Sequence, residues 1–352
     1  MTQYIRVAII QDAGSFSLKI SGFYELIDCV SKKTLYRGND VKTTVTSYRD
    51  SILIAGKDLE TSCLLIKTEN TALFSIDGRM FKGGIRLIKK NNGHLLVVNQ
   101  IALEDYVKGI LYHEASHYWP EEALKAQAVV SRTYAVYQVL ENKAKEYDVT
   151  SDIYSQVYGG KTSERYRTNK AVEDTDGLVV TYQGKIIPAY FHATCAGHTE
   201  DAALLWNIDI PPLKGVACDF CKDSPHFNWH AVLSLAEIRD KLADSGRRIK
   251  QISDISILGR DSSGRVSYLK IGNGKKDIKI SAKDLRNIVG PNVIRSTNFK
   301  VDVSGDDVIF EGVGWGHGVG LCQWGAYFMA KQGRTYDEII RYYYPYTDVK
   351  NY

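Results

Sequence analysis

The stretch LEDYVKGILYHEASHYWPEEALKAQAVVSRTYAVYQVL, Leu103 to Leu140, decides the fold of this chain. Leu103, Val107, Ile110 and Leu111 recur at spacings of three and four, which predicts a helix with one buried face. The next position on that face is Glu114. A carboxyl there is costly to ionise unless it is paired, so its pKa is expected to rise. A carboxyl that keeps its proton near neutrality can act as a general acid. The competing reading is a glutamate at a helix end that reaches water or pairs with a basic residue. Trp119-Pro120 should end this helix. Pro120, suited to a first helical position, opens a second helix, and Glu121 and Glu122 complement the positive end of its dipole. From Ala123 to Leu140 the second helix is apolar nearly all round, as a central buried helix is. Gln127, Ser131 and Arg132 interrupt it and need partners if buried. Gln127 and Arg132 can project from it toward a cleft.

Residues 1 to about 94 read as short strands. Tyr4–Ile10, Phe16–Ile20, Ile52–Ala55, Cys63–Lys67 and Leu73–Ile76 are rich in apolar, β-branched and aromatic residues. Asp77-Gly78 and Asn92-Gly93 are hairpin turn signals, and Leu95–Val98 is one more strand leading into the first helix. Downstream, Ile186–Phe191 reads as a strand. Ser234-Leu-Ala-Glu237 is a capping box that opens a helix through Ala243. Residues 255–280 read as a β-meander turning at Ser263-Gly264 and Asn273-Gly274, and Thr335-Tyr-Asp-Glu338 opens a last helix toward Tyr343. The fold class is therefore α+β: a β-rich N-terminal region, residues 1–98, then a mixed α/β part, residues 99–352, with a β-meander insertion at about 231–310.

The chain has 352 residues, 44% hydrophobic and 24% charged, with a net charge of +4. Those values fit a globular protein with a sizeable core. The charge is compatible with an anionic partner such as cell wall, and no basic run is dense enough for nucleic acid. No stretch is long enough to cross a membrane. The opening Met1–Gly14 reads as a strand and not as a secretory signal, because its apolar run, Val7–Ile10, is short and no basic segment precedes it.

A second stretch, Gly312 to Ala326, reads GVGWGHGVGLCQWGA and sets His317, Gln323 and Trp324 among closely spaced glycines. Such glycines let backbone approach a ligand or another segment. Four pieces occur in order: YVKGILYHEASHYWPEEALKAQAVVSRTYA from Tyr106, DIYSQVYGG from Asp152, YFHATCAGHTED from Tyr190 and GHGVGLCQWGA from Gly316. Together they resemble the SpoIID family, the sporulation stage II protein D type, which includes the amidase enhancers. The resemblance covers most of the chain from about Asn99 onward and makes residues 99–352 the SpoIID-type catalytic domain. It implies an extracytoplasmic protein of the bacterial cell wall, periplasm or intermembrane space, acting on peptidoglycan glycan strands, with a cell-wall amidase as a candidate partner. It also implies that Glu114 is the catalytic acid of a peptidoglycan lytic transglycosylase. One carboxyl suffices for that reaction. It protonates the oxygen leaving N-acetylmuramic acid, then takes the proton of the C6 hydroxyl that closes a 1,6-anhydro ring, with no attacking water. In the family, Ser155, Gln156 and Tyr158 border the site. His317 and Gln323, with Gln127 and Arg132, would hydrogen-bond acetamido and hydroxyl groups or orient Glu114; for each, a purely internal network is the alternative.

Two other functions compete. One is a non-catalytic glycan-binding enhancer of an N-acetylmuramoyl-L-alanine amidase. The other is a zinc hydrolase, since His113-Glu114-Ala115-Ser116-His117 matches H-E-x-x-H. A separate zinc question comes from Cys218-Asp-Phe-Cys221, a C-x-x-C near His192, Cys195, His198, His226 and His230. Cys195, His198, Cys218 and Cys221 are the expected ligands of a structural zinc, with His192 and His226 as substitutes; the resemblance supports a zinc, and a disulfide is the alternative. Cys29, Cys63 and Cys322 are expected to be isolated, free and buried.

Overall fold

The computed structural model describes residues 3–68, 73–152 and 155–352. Met1 and Thr2 of the opening segment, and Ile153 and Tyr154 of the DIYSQVYGG motif, lie outside the described residues. The chain is α+β and forms two compact units, Met1–Pro188 with Val349–Tyr352, and Ala189–Asp348. The division expected near residue 98 falls inside a single strand, Leu95–Ala102, which runs straight into the first helix.

The first unit carries a sheet of eleven strands: β1 (Tyr4–Ala13), β2 (Ser15–Asp28), β3 (Thr34–Tyr48), β4 (Ser51–Ile54), β5 (Lys57–Asp58), β6 (Cys63–Thr68), β7 (Phe74–Ile76), β8 (Arg79–Phe81), β9 (Gly84–Lys89), β10 (Leu95–Ala102) and β11 (Val149–Thr150). Its order is β11-β1-β10-β9-β6-β2-β3-β4-β5, with β7 paired to β2 and β8. β1 and β10 run antiparallel with Ile5 opposite Ile101, so alternate apolar residues of both strands enter one core. β3 escapes the sequence reading because it is polar and mostly exposed, and is held by its long hairpin with β2. That pairing has a covalent companion. The β2–β6 register sets Asp28 opposite Leu64, which brings Cys29 to Cys63 in a disulfide. The expectation that both cysteines are free is therefore wrong, and its source is that sequence distance says nothing about cross-strand neighbours.

Helix α1 (Leu103–Glu114) buries Leu103, Tyr106, Val107, Ile110 and Leu111. Gly109 is required there, since a Cβ would lie 2.5 Å from the Tyr158 ring. α2 (Glu121–Glu141) is buried from Ala123 to Val136, with Pro120 at its N-cap and not inside its first turn. α3 (Tyr166–Glu173) follows. β12 (Leu178–Tyr182) pairs with β13 (Lys185–Ile186) and with the chain's last strand, Asp348–Asn351.

In the second unit, β14 (Phe191–His192) and β15 (Gly197–His198) precede α4 (Ala202–Trp206), β16 (Ala217–Cys218), β17 (Asn228–Ser234) and α5 (Leu235–Asp244). The strand expected over 186–191 is thus two pieces, β13 and β14, flanking Pro188, which cannot donate to a ladder. The expected meander is β18 (Asp254–Arg260), β19 (Val266–Gly272) and β20 (Asp277–Ser281). α6 (Ala282–Val289), β21 (Phe299–Ser304), β22 (Asp307–Val313), β23 (Leu321–Cys322), α7 (Gln323–Lys331) and α8 (Tyr336–Tyr343) complete the unit. Both expected capping boxes are present, Ser234 with Glu237 and Thr335 with Glu338. Ile238, Leu242, Leu269, Leu285 and Phe310 share one core.

A buried ionic knot joins the β18–β19 turn to the segment after β15. Arg265 donates to the carbonyls of Cys195 at 2.8 Å and His198 at 2.9 Å, and to Ser263 Oγ at 2.9 Å. Ser263 in turn donates to Glu200 Oε2 at 3.1 Å. Burial pushes the Glu200 carboxyl from its ordinary 4.5 up to about 7, with Arg265 opposing and Asp261 adding to the rise. A raised folded pKa means that the native state holds the extra proton, so stability falls as pH rises through that window. Glu200→Gln, which cannot ionise, is expected to flatten the decline in melting temperature between pH 5 and 8 and to gain on the parent protein at the alkaline end. Parallel curves for the two proteins in thermal melts across that range would contradict this.

Candidate active site and cysteine cluster

Glu114 is the last residue of α1 and is half-buried. Ala115 leaves the helix with extended backbone (φ −142°, ψ 134°), its N–H closing on the Leu111 carbonyl at 2.9 Å. The apolar stripe therefore delivers Glu114 at the point where the helix stops. Its charge reaches two tyrosines. The Tyr106 phenol is raised by burial first, then by the charges of Tyr134 and Glu114. The Tyr134 phenol is also raised, by burial first and by Glu114 among the charges. Tyr106, Ile110 and Glu114 are spaced by four, so the sequence held a signal for Tyr106 that the reading above passed over.

Beside these phenols runs a buried polar chain. Tyr106 Oη donates to Gln156 Oε1 at 3.0 Å, Gln156 Nε2 to the Ser131 carbonyl at 3.4 Å, and Gln127 Nε2 to Ser131 Oγ at 3.0 Å. Ser155 Oγ accepts the Thr150 N–H at 3.1 Å and lies by the Tyr134 hydroxyl. Gln127, Ser155 and Gln156 are thus brought together with Glu114's tyrosine partners. Two other expected residues are not placed to meet a ligand. Tyr158 is fully buried, packs on Phe81 and Tyr106, and donates to Asn99 Oδ1 at 2.8 Å. Arg132 is fully buried, gripping both oxygens of Glu104 at 2.7 Å and donating to the carbonyls of Leu178 and Val172. Four of its five N–H groups are used inside the protein.

The H-E-x-x-H reading fails on geometry. α1 ends at Glu114, so His113 and His117 do not share a helix face. His113 Nε2 instead meets Ser163 Oγ at 2.6 Å.

His317 and Gln323 belong to the second unit. His317 Nδ1 accepts the Val319 N–H at 3.1 Å, and its ring meets Trp206, Tyr190 and His192. Burial first, then the charges of Arg286 and Arg265, push its pKa down to about 3, so it is a neutral hydrogen-bonding group. Gln323 is buried at the start of α7.

The second unit also gathers four buried thiols. Cys195, Cys218, Cys221 and Cys322 place their sulfurs within 4.8 Å of one another, and among the described residues no other cluster of metal-ligating groups converges this way. A tetrahedral zinc with Zn–S near 2.3 Å needs sulfurs about 3.8 Å apart. The Cys195 and Cys221 sulfurs are 3.5 Å apart. Cys322 Sγ also accepts the N–H groups of Cys195 and Gly325, at 3.3 and 3.4 Å, as a thiolate ligand would. The fourth member is Cys322 where His198 was expected. The parallel pair of β14 and β23, with His192 opposite Cys322, carries this cysteine in from far along the chain. His198 Nδ1 is bound to the Thr199 carbonyl at 2.6 Å, and His192 Nδ1 to the Val319 carbonyl at 3.1 Å. His226 packs against Trp315 and Trp324. Cys322, read as isolated, is thus part of the cluster.

A family model described as Stage II sporulation protein matches residues 91–182, and a domain of unknown function matches residues 217–320. An uncharacterized protein of Brachyspira hyodysenteriae is 39% identical over 280 residues, 79% of this chain and 74% of that protein. Stage II sporulation protein D of Bacillus subtilis is 34% identical over 267 residues, 72% of this chain and 75% of that protein. The amidase enhancer of Bacillus subtilis is 30% identical over 342 residues, 82% of this chain and 47% of that protein.

The buried guanidinium of Arg132 makes a stability prediction. Arg132→Gln leaves Glu104 and two carbonyls without their donor, and is expected to cost ~3 kcal/mol or more, in the range for breaking a buried ion pair. Denaturant melts check this; a loss below roughly 1 kcal/mol, the worth of a surface pair, would show that the fork contributes little.

Proposed function

The chain belongs to the Stage II sporulation protein D family, and on that footing we propose that it is a lytic transglycosylase cleaving the bond between N-acetylmuramic acid and N-acetylglucosamine in peptidoglycan. The observation that carries this reading is Glu114: a half-buried carboxyl at the exact end of an apolar helical stripe, acting on two buried phenols. The reaction needs one proton moved out and one moved back. Glu114, protonated, donates to the glycosidic oxygen as its bond to the anomeric carbon breaks. The muramic acid C6 hydroxyl then attacks that carbon and gives its proton to the Glu114 carboxylate. The products are a 1,6-anhydro sugar and a free hydroxyl, and the acid is restored. Tyr106, Gln156, Ser131 and Gln127 form a fixed wall of hydrogen bonds behind the carboxyl, which favours orientation over new chemistry.

A second reading has its own support, the 30% identity to an amidase enhancer. In it the chain binds glycan and stimulates a separate N-acetylmuramoyl-L-alanine amidase. Purified protein that releases no anhydro sugar but quickens an amidase would favour it.

We also propose that Cys195, Cys218, Cys221 and Cys322 hold one structural zinc. Four thiolates fill every position of a tetrahedral site, leaving none for a reacting water, so the ion would supply folding energy and not catalysis. The Cys29–Cys63 disulfide supports an extracytoplasmic setting, where disulfides persist. Among the described residues no helix is long and apolar enough to cross a membrane.

Two outcomes follow. Glu114→Gln is expected to keep the fold and lose anhydro-sugar release by ~10²-fold or more, since one group serves as acid and base; mass spectrometry of digested glycan reads this, and turnover within a few-fold of the parent would remove Glu114 from the mechanism. Elemental analysis is expected to give one zinc per chain, lost in Cys322→Ser and kept in His198→Ala. A metal-free protein with disulfides mapped among the four cysteines would overturn the zinc site.

A further inference from the structure

The second unit holds a groove of about 820 Å³, lined by none of the residues proposed above for catalysis or metal. Its size falls within the range of small-ligand sites, roughly 300–1,000 Å³. The floor is fixed by packing. Trp229 meets Phe299 edge to face with ring centroids 6.2 Å apart, and its Nε1 donates to Ser296 Oγ at 3.2 Å. Gly312 is required beside it, since a Cβ there would lie 2.2 Å from the indole. One wall is an arginine already held in place. Arg260, the last residue of β18, donates from Nη1 to the Gly264 carbonyl and from Nη2 to the Phe299 carbonyl, each at 2.8 Å. Two of its five N–H groups are used, so the planar fork is oriented before any ligand arrives. Lys300 follows Phe299 on β21. The strand register sets it opposite Glu311, which is in turn opposite His230. Cross-strand neighbours have Cβ atoms about 5 Å apart. A cation, a carboxylate and an imidazole thus line up across three strands. All three side chains are exposed, and none makes a hydrogen bond or ion pair with another described residue. The surrounding insertion, residues 231–310, holds fifteen Lys and Arg against ten Asp and Glu, a larger surplus than the +4 of the whole chain. The field there favours an anion. Glu311 argues against a plain polyanion, which it would repel beside Lys300. Two cations, one carboxylate and the side-chain amides of Asn228 and Asn298, which also line the groove, match a ligand with a carboxylate, an amine and amide groups. A peptide has all three.

We propose that this groove binds a short peptide bearing a free carboxylate and a free amine. Arg260 and Lys300 take the carboxylate, Glu311 takes the ammonium, and the two asparagine amides pair with peptide bonds. The affinity does not depend on Glu114, and no bond is broken at the groove.

The test uses the full chain and, as probe, the tetrapeptide Ala-Glu-Lys-Ala with acetyl and amide ends, which holds one carboxylate and one amine. Titration calorimetry at low salt is expected to show binding. Replacing the probe's Glu by Gln, or its Lys by norleucine, should each weaken it about tenfold, the scale of one charge-assisted hydrogen bond. Lys300→Ala is expected to weaken the parent probe about tenfold and to change little with the Gln probe, whose carboxylate is gone. Glu311→Gln should weaken the parent probe and leave the norleucine probe nearly unaffected. Lys300 and Glu311 are exposed, so the fold should tolerate both changes, and thermal melts check this. No binding at millimolar probe, or a variant that weakens every probe equally or none, overturns the peptide site. So does polyphosphate binding more tightly than the peptide in a Lys300-dependent way, which would make the groove a polyanion site.

Discussion

The geometry of the first unit hangs on one buried cation. Arg132, in the middle of α2, grips Glu104 in the first turn of α1 and donates to carbonyls at Val172 and Leu178. One guanidinium thus fixes four elements: α1, α2, α3 and β12. A lysine offers three rotating donors in place of a planar fork and could not reproduce this set. The consequence lies at the other end of α1. Glu114 is ten residues beyond Glu104, about 15 Å along a helix axis. Holding the first turn of a rigid rod sets where its last residue points. Of the roles expected for Arg132, contact with sugar groups, orientation of Glu114 or an internal network, its buried bonds to Glu104, Val172 and Leu178 fit the internal ones.

The second constraint is polar satisfaction around the same helix. Tyr106, Gln156, Ser131 and Gln127 are all buried, and each is hydrogen-bonded within the group. A buried polar chain of this kind tolerates little rearrangement, because any displaced member leaves another without a partner. Gly109 reinforces it, since only a residue without a side chain lets Tyr158 approach α1 and complete the packing below Tyr106. The carboxyl at the helix end is thus backed by side chains that cannot easily move.

What was legible in the sequence was local. The stripe from Leu103 to Leu111, the two capping boxes and the meander turns at Ser263-Gly264 and Asn273-Gly274 all rest on spacings of a few residues, and the structure has them. What was missed was non-local. β3 has few apolar residues to alternate and exists through its register with β2. Two-residue strands such as β14 and β23 have no periodicity to read, yet their pairing sets Cys322 beside Cys195. The domain division was misplaced for the same reason: a change from strand to helix along the chain is not a break in packing. At the candidate site, Glu114 could be singled out from its stripe. The engagement of Arg132 and Tyr158 could not, since it depends on partners contributed by other elements.

The six cysteines divide into two chemistries within one chain. Cys29 follows the end of β2, Cys63 opens its antiparallel neighbour β6, and the two are joined. The other four are buried and converge on one point from loops and strand ends, each sulfur facing three others. In an oxidising compartment such a quartet would face a choice of three pairings, all of them poor structural links between segments already adjacent. The proposed zinc would remove the choice by holding all four as thiolates. It would also account for how the segment is built. Short strands, tight turns and a glycine-rich loop supply little apolar burial of their own, and Arg265 must brace the Cys195 and His198 carbonyls from the meander side. Metal coordination, as proposed, would supply at that point the cohesion that the apolar core supplies elsewhere.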